Sequence, residues 1–340
     1  MRERVVSPAA ISPEDEQAIV SLRPTKLNEF TGQKQTIEKL SVSLEAVKRR
    51  DEPHEHILFY GPPGLGKTTL AHILANEMGT RLVVTSGPSL QRTGDLMGIL
   101  TNLEAGDILF IDEIHRLAPS VEEFIYPALE DFKVDFVVDK GAYARVINVP
   151  LKKFTLIGAT TRAGLLSAPL RSRFGIFHHL DFYPDEDIAK IIKNSAQTLQ
   201  VTIDDEACRE MSHRSRGTPR IANRLLRRVR DFAQVKRDGV INLESVNSAL
   251  EMEGVDPAGL DNLDLKLLTT MIKFYAGGPV GIEALAATVN EETDTLEEMV
   301  EPYLLKIGFI KRTRRGRVVG QAAYDHLKMR PEGGPQQQLL

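Results

Sequence analysis

Cysteine is almost absent from this 340-residue chain, and Cys208 stands alone. No disulfide can close within it, which excludes a crosslinked secreted scaffold and makes a reducing compartment the natural expectation. Set beside Glu206, Ala207 and Met211, the thiol reads as helix packing rather than as a nucleophile. Long apolar runs are missing too. Nothing approaches the roughly 18 apolar residues of a membrane span, and Met1-Arg-Glu-Arg-Val-Val-Ser-Pro has no signal-peptide core, so a soluble cytoplasmic protein is expected. A strong charge of either sign is lacking as well. With a formal net charge of -4 the whole chain is no generic polyanion binder, and any nucleic-acid contact must come from local basic clusters. No repeat of solenoid period is visible.

What is present is enough chain for two or three domains, each able to bury a core. Residues 1–20 carry Pro8, Pro13 and the acidic run Glu14-Asp-Glu16, and read as a flexible arm. Short apolar runs at Ile57–Tyr60, Leu82–Thr85, Ile108–Ile111, Phe154–Ile157 and Ile176–Phe182 alternate with helical stretches such as Thr68–Glu77 and Val121–Asp131. That alternation predicts an α/β domain with a mostly parallel sheet over residues 21–183. Beyond Pro184 the strand-like runs stop. Asp187–Leu199, Asp205–Arg214, Pro219–Lys236 and Leu243–Glu251 read as helices, which predicts an all-helical domain over 184–255. After the linker Gly254-Val-Asp-Pro-Ala-Gly259, three helices and a hairpin from Phe309 to about Gly320 have the layout of a winged helix, over 256–330. The Gly- and Gln-rich end, 331–340, reads as a disordered tail.

Gly61-Pro-Pro-Gly-Leu-Gly-Lys-Thr68 fits the phosphate-loop pattern, with a strand entering and a helix leaving. Gly64 and Gly66 let backbone amides approach phosphate, Lys67 reaches the β and γ phosphates, and the Thr68 hydroxyl ligates Mg2+, with Thr69 next on the helix. ATP and Mg2+ are the expected cofactors. Four apolar residues bring Asp112 to the end of a buried strand, where a carboxylate holds Mg2+. Glu113 beside it is the expected base for the attacking water, because two adjacent acids at a strand end need a metal and a water to justify them. Thr161 ends the next strand, within contact range of a γ-phosphate or that water. Arg171 and Arg173 follow a helix-like turn, and at least one should face outward. Thr218-Pro219-Arg220 reads as an N-cap, a first-turn proline and an arginine aimed out of a helix start. The remaining arginines of that helix, Arg224, Arg227, Arg228 and Arg230, read as a solvated face.

This order of motifs resembles the AAA+ ATPases. The stretches Leu109-Phe-Ile-Asp-Glu-Ile-His-Arg-Leu, Gly158-Ala-Thr-Thr-Arg-Ala-Gly and Arg216-Gly-Thr-Pro-Arg-Ile-Ala-Asn-Arg-Leu-Leu resemble in particular the bacterial branch of that family that drives branch migration of Holliday junctions. The likeness runs from about Leu22 to Leu327. It implies a fold of AAA+ P-loop domain, helical lid and C-terminal winged helix. It implies Thr161 as first sensor, Arg220 as second sensor and Arg173 as an arginine finger acting on a neighbour's nucleotide. Leu22, Arg23 and Tyr183 match the segments that line the adenine pocket. Many AAA+ proteins carry Asn where Thr161 stands. The resemblance further implies a homohexameric ring on duplex arms, the junction-binding partner RuvA, the resolvase RuvC in a larger complex, and a role in recombination, repair and the SOS response.

Val134–Val149 offers a hairpin turning at Asp139-Lys-Gly141 and exposing Phe136, Val138, Tyr143 and Val146 in some combination, and the corresponding hairpin of the family docks RuvA. Without the resemblance, packing of this hairpin within its own domain would be preferred. In the third domain Lys311-Arg312-Thr-Arg314-Arg315-Gly316-Arg317 places five cations in seven residues, on what reads as a hairpin tip able to straddle phosphates. The family's matching wing arginines are Arg312 and Arg317, and its usual wing has proline where Arg314 stands. Glu291, Glu292, Asp294, Glu297, Glu298 and Glu301 make the neighbouring helix acidic, so the wing is expected to grip phosphate and the helix not to read bases. Two other classes compete with a DNA motor. A protein-remodelling ATPase would need an aromatic pore loop, which is not evident, and a clamp-loader-like scaffold would not need Glu113 and Arg173.

Overall fold

The structure is a computed structural model and describes residues 5–7, 21–138 and 145–330. It divides into two compact units, Arg23–Asp181 on one hand and Met1–Leu22 with Phe182–Leu340 on the other.

The first unit is built on five parallel strands: β1 (Ile57–Tyr60), β2 (Leu82–Ser86), β3 (Ile108–Asp112), β6 (Thr155–Thr160) and β7 (Ile176–His179), in the order β2-β3-β6-β1-β7. Burial on both faces explains the near-continuous apolar runs of β1, β3 and β6, while the edge strand β2 leaves Val84 52% exposed. Leu58, Leu109, Ile111, Leu156 and Phe154 meet the helix Pro119–Glu130 in one core through Val121, Ile125 and Ala128. Strand bounds differ from the sequence reading at four places: β2 and β3 each run one residue further, to Ser86 and Asp112, β6 and β7 shift more, and Thr161 falls just beyond the end of β6. β6 begins one residue late, because Phe154 enters the core before the ladder starts, and it continues through Gly158-Ala159-Thr160. β7 stops at His179, after which the Leu180 amide donates to the Tyr60 carbonyl at 2.8 Å. A separate antiparallel pair, β4 (Lys133–Val138) and β5 (Arg145–Pro150), has Val134 in the core and Phe136 directly across from an equally outward Ile147.

In the second unit the helices Asp185–Thr198, Asp205–Arg214, Pro219–Lys236 and Leu243–Met252 pack into a bundle. Asp204 and Asn242 cap two of them, accepting from Ala207 and Ser245 amides. Thr218 does not cap as expected: its hydroxyl makes only a long 3.5 Å contact to the Arg216 carbonyl. The helices Asn262–Tyr275, Ile282–Val289 and Thr293–Lys306, the last with a π turn at Leu296–Val300, share a core with β8 (Ile310–Thr313) and β9 (Gly316–Val319). β9 also pairs with Val280, through amide bonds of 3.0 and 2.8 Å between Val280 and Arg317. Gly316, with a left-handed φ of 134° directly after the tip Arg314-Arg315, lets the wing approach Val280 closely. A Cβ on Gly316 would lie 2.4 Å from the Val280 carbonyl oxygen.

Two expectations need correction here. Of the N-terminal arm, residues 5–7 are not a free segment: Val5 and Val6 are buried and Ser7 nearly so. Arg224 is the reason. It is 1% exposed rather than on a solvated face, and donates to the carbonyls of Val5 at 3.1 Å and Ser7 at 2.5 Å. A buried guanidinium needs acceptors, and the apolar Val5-Val6 pair brings carbonyls to it. Residues 8–20, the turn at 139–141, Tyr143 and the tail 331–340 lie outside the described residues, as do the side chains of Val138 and Val146.

Candidate nucleotide and nucleic-acid sites

β1, β3 and β6 are neighbours running the same way, so the residues at their carboxyl ends converge. That edge of an open parallel sheet is where ligands bind. The phosphate loop leaves β1 there, and the Gly61 amide donates to the Thr160 carbonyl at 3.2 Å. Gly61, Gly64 and Gly66 all have left-handed φ, and a Cβ on Gly61 would come within 2.1 Å of the Leu180 oxygen. The loop then enters the helix Lys67–Met78, whose first turn directs its amides at the loop's hollow. Lys67 is 7% exposed, and its Nζ donates to the carbonyls of Gly61 at 2.8 Å and Pro62 at 2.9 Å. The charge is thus held in place by the loop that is to receive phosphate. Thr68 and Thr69 follow in the same half-buried turn.

Asp112 closes β3, and its Oδ1 accepts the Glu113 amide at 2.9 Å. Glu113 has a left-handed φ of 47°, unusual for a residue with a side chain, and its carboxylate pairs with Arg116 at 3.2 Å. His115, two residues on, shares a 3.0 Å hydrogen bond with the Thr160 hydroxyl, and its pKa is lowered, by burial first and by Arg162 and Arg116, against the opposing pull of Glu113 and Asp112. Thr161 has a buried hydroxyl with no partner among the described residues. Unpartnered buried polar atoms are rare and need a reason, and a ligand oxygen at this strand end supplies one. These groups fit a nucleotide with its cation: the oxygen donors of Thr68 and Asp112 suit a hard, hydrated ion.

Arg171 and Arg173 differ in fate. Arg171 is exposed, whereas Arg173 folds back on its own chain, 4.2 Å from the centre of the Tyr126 ring, with Glu130 at 3.0 Å and the Pro169 carbonyl at 2.6 Å. Arg23, half-buried, belongs to this same unit, while Leu22, Tyr183 and Arg220 belong to the other. There Tyr183 is buried and its amide donates to the Gly217 carbonyl at 2.9 Å, and Arg220 is half-buried at the start of the helix Pro219–Lys236.

The basic wing is arranged differently from a free tip. Arg312 and Arg317 are directly cross-strand and both turn onto Glu301, which is 1% exposed. Arg312 pairs with that carboxylate, and Arg317 reaches it at 2.7 Å through Nε and reaches Glu297 at 3.1 Å through Nη2. Burial pushes the Glu301 carboxyl up, but the two guanidiniums outweigh it and the net shift is downward. The acidic helix therefore does more than repel phosphate, since two of its acids orient the wing's arginines. Sequence spacing missed Tyr126 and Glu130, which belong to no recognisable motif, and read Glu297 and Glu301 only as acids that repel phosphate.

Comparisons with known proteins follow the same division. Family models described as the Holliday junction DNA helicase RuvB P-loop domain, the RuvB AAA lid domain and the RuvB C-terminal winged helix domain match residues 22–180, 183–256 and 257–328. The chain is 56% identical over 315 residues to the Holliday junction branch migration complex subunit RuvB of Desulfosudis oleivorans, covering 93% of this chain and 92% of that protein. Against the subunit of the same name from Pediococcus pentosaceus the identity is 54%, with 96% of each chain covered. A solved structure of Thermotoga maritima RuvB, described as a Holliday junction branch migration motor, superposes with a TM-score of 0.84 at 52% identity, over 91% of this chain and 99% of that one.

Proposed function

This chain belongs to the RuvB family of Holliday-junction DNA helicases, and from that premise we propose how its residues divide the work. It is an ATP-driven motor of Holliday-junction branch migration, a P-loop ATPase whose hydrolysis is coupled to movement of DNA. The observation that carries this is the run of three RuvB family matches, in order, over residues 22–180, 183–256 and 257–328.

Lys67 and the loop amides hold the β and γ phosphates, and Thr68 with Asp112 would hold Mg2+, which would neutralise developing phosphate charge. Glu113 orients and deprotonates the attacking water once it leaves Arg116. Thr161 supplies its unpaired hydroxyl to the γ-phosphate or that water. Leu22, Arg23 and Tyr183 line the adenine site, and Arg220 reports the state of the γ-phosphate to the helical lid. Arg173 completes a neighbour's site, which makes a closed ring a requirement of the chemistry, with six subunits as in the family. Arg312 and Arg317 hold duplex DNA by its backbone. Such a grip is indifferent to sequence, as a motor sliding over any duplex needs. Phe136 and its hairpin dock RuvA, with Val138, Tyr143 and Val146 as further candidates, and RuvC joins the larger complex. The working place is the cytoplasm, and among the described residues no helix is long and apolar enough to cross a membrane.

ATPase and strand-displacement assays on linear and four-way DNA, with and without RuvA, test the reading. Preferential stimulation by the four-way junction with RuvA is expected. Turnover indifferent to DNA, or stimulated instead by unfolded protein, would overturn it.

A further inference from the structure

Arg216 stands four residues before Arg220, and its side chain leaves the helical lid altogether. It is 2% exposed, with a left-handed φ of 56° that a residue bearing a Cβ adopts only under constraint. Its Nε donates to the Gly259 carbonyl at 2.6 Å, its two terminal nitrogens meet both oxygens of Asp264, and its plane faces the Tyr303 ring with the centres 5.1 Å apart. All three partners belong to the linker and winged helix. Asp264 is fully buried and also accepts the Asp261 amide at 2.8 Å, so the same carboxylate fixes the first turn of the helix Asn262–Tyr275. The Tyr303 hydroxyl donates to the Ala258 carbonyl at 2.8 Å, and burial drives its pKa up to about 12. An arginine fork used on both edges and one face fixes orientation as well as distance, which an apolar contact does not.

What lies at each end gives this joint its meaning. On the lid side, Gly217 accepts the Tyr183 amide and the helix carrying Arg220 starts two residues later. On the winged side, Tyr303 is two residues from Glu301 in the same helix, and Glu301 holds both Arg312 and Arg317. We propose that Arg216 is the coupling residue of the motor: it locks lid and winged helix into one rigid body, so that displacement at Tyr183 and Arg220 reaches the wing arginines undiminished. It is a positioning residue, touching neither nucleotide nor DNA, and the proposal rests on the reading above of Arg220 and of the wing.

The test uses full-length protein carrying Arg216→Lys, Asp264→Asn, or the apolar pair Arg216→Met with Asp264→Leu. Spin labels are placed at Val235→Cys and Phe274→Cys, which are 77% and 73% exposed, with the buried Cys208 changed to Ser. Interlabel distances should be narrowly distributed in the parent and clearly broadened in the single variants. Base pairs migrated per ATP should fall by about tenfold, within the range by which residues along a coupled network alter coupling, while basal ATPase and duplex affinity hold within about twofold. The apolar pair should regain thermal stability without regaining coupling. Unchanged distances with unchanged yield per ATP would overturn the proposal. A parallel fall in basal turnover, affinity, yield and melting temperature would reduce Arg216 to a structural role and overturn it equally, as would full coupling in the apolar pair. Arg220→Ala and the double variant Arg312→Ala, Arg317→Ala are run alongside. If those leave turnover and duplex affinity untouched, the reading of the two ends has failed, while the label distances still report on the joint itself.

Discussion

Arg173 is held by Tyr126 of its own chain, its guanidinium 4.2 Å from the ring centre, and Glu130 takes its outer edge at 3.0 Å. If Arg173 is the finger proposed above, it is stored here in a defined pose. The ring is itself anchored: the Tyr126 hydroxyl donates to Glu122 at 2.6 Å, and Ser167 donates to the same carboxylate. A largely desolvated cation–π contact is worth about 1–2 kcal/mol, whereas Glu130 is 57% exposed and such an ion pair contributes at most about 1 kcal/mol. Tyr126→Leu should therefore lower kcat by about tenfold without changing nucleotide Kd, and Glu130→Gln should lower it by less than about threefold. Steady-state ATPase and equilibrium nucleotide binding separate the two quantities. Equal effects from both variants would remove the ring from its holding role.

If Arg173 acts across a subunit boundary, inactive subunits can complement. Arg173→Ala keeps an intact phosphate loop, and Lys67→Ala keeps an intact finger. Neither should turn over ATP alone, but rings mixed from the two should recover part of the parental rate. Failure to recover, in rings verified to contain both subunits, would place the arginine's effect within its own chain.

If Glu113 is the base proposed above, its pair with Arg116 must open before chemistry, and here the magnitudes favour easy release. The pair is 3.2 Å long, three residues apart and roughly half-exposed, so it contributes only about 0.3–0.5 kcal/mol. Arg116→Ala should change basal turnover by less than about twofold. Glu113→Gln should bind ATP normally yet lose about 10²–10⁴ in kcat, the usual weight of a positioned base. Weakened ATP binding in Glu113→Gln would point to a structural role instead.

Much of this architecture could be read from the sequence, and what could not has a common cause. Strands β1 and β3 betray themselves by unbroken apolar runs, and the phosphate loop by glycines that only a left-handed turn requires. Periodicity also gives the helices Asp205–Arg214, Pro219–Lys236 and Ile282–Val289. Pairings between distant residues leave no such mark. Arg216 meets Asp264 across 48 residues, and Arg224 meets Ser7 across 217. Local charge told only part of the story at the wing: a row of glutamates suggests repulsion of phosphate, and only the fold shows Glu297 and Glu301 set against the arginines.

Acid should weaken the first unit through a buried histidine. His178 is 4% exposed, stacks on Phe59 with ring centres 5.8 Å apart, and has a pKa lowered from 6.5 to about 4, by burial first and then by Lys39 and His54. The unfolded chain gains a proton as pH falls past 6.5, while the folded chain resists until about 4. Stability from the neutral ring is therefore complete above pH 6.5 and is lost through the window between those values. Between pH 7.5 and 5 the loss should be roughly 2 kcal/mol. Burial lowers His54 and His56 in the same direction. Urea unfolding of the parent and of His178→Phe measures the difference, and an identical pH slope in both would exclude this histidine as its source.

At the wing, the two acids should have opposite effects on DNA binding. Glu301 is buried beneath both arginines, so Glu301→Gln removes the anchor that sets their spacing and should weaken duplex binding along with stability. Glu297 is 29% exposed and reaches the Nη2 of Arg317 at 3.1 Å, where it would act as a built-in counterion in competition with phosphate. Its neutralisation in Glu297→Gln should tighten duplex binding by about three- to tenfold at low salt. With that internal counterion gone, phosphate must displace dissolved ions instead, and log affinity against log salt should steepen by up to about 0.9. Tighter binding slows release, so migration per unit time should fall even as affinity rises. Fluorescence anisotropy across a salt series reads both quantities, and weaker binding with an unchanged slope in Glu297→Gln would mean that this acid positions Arg317 rather than competing for it.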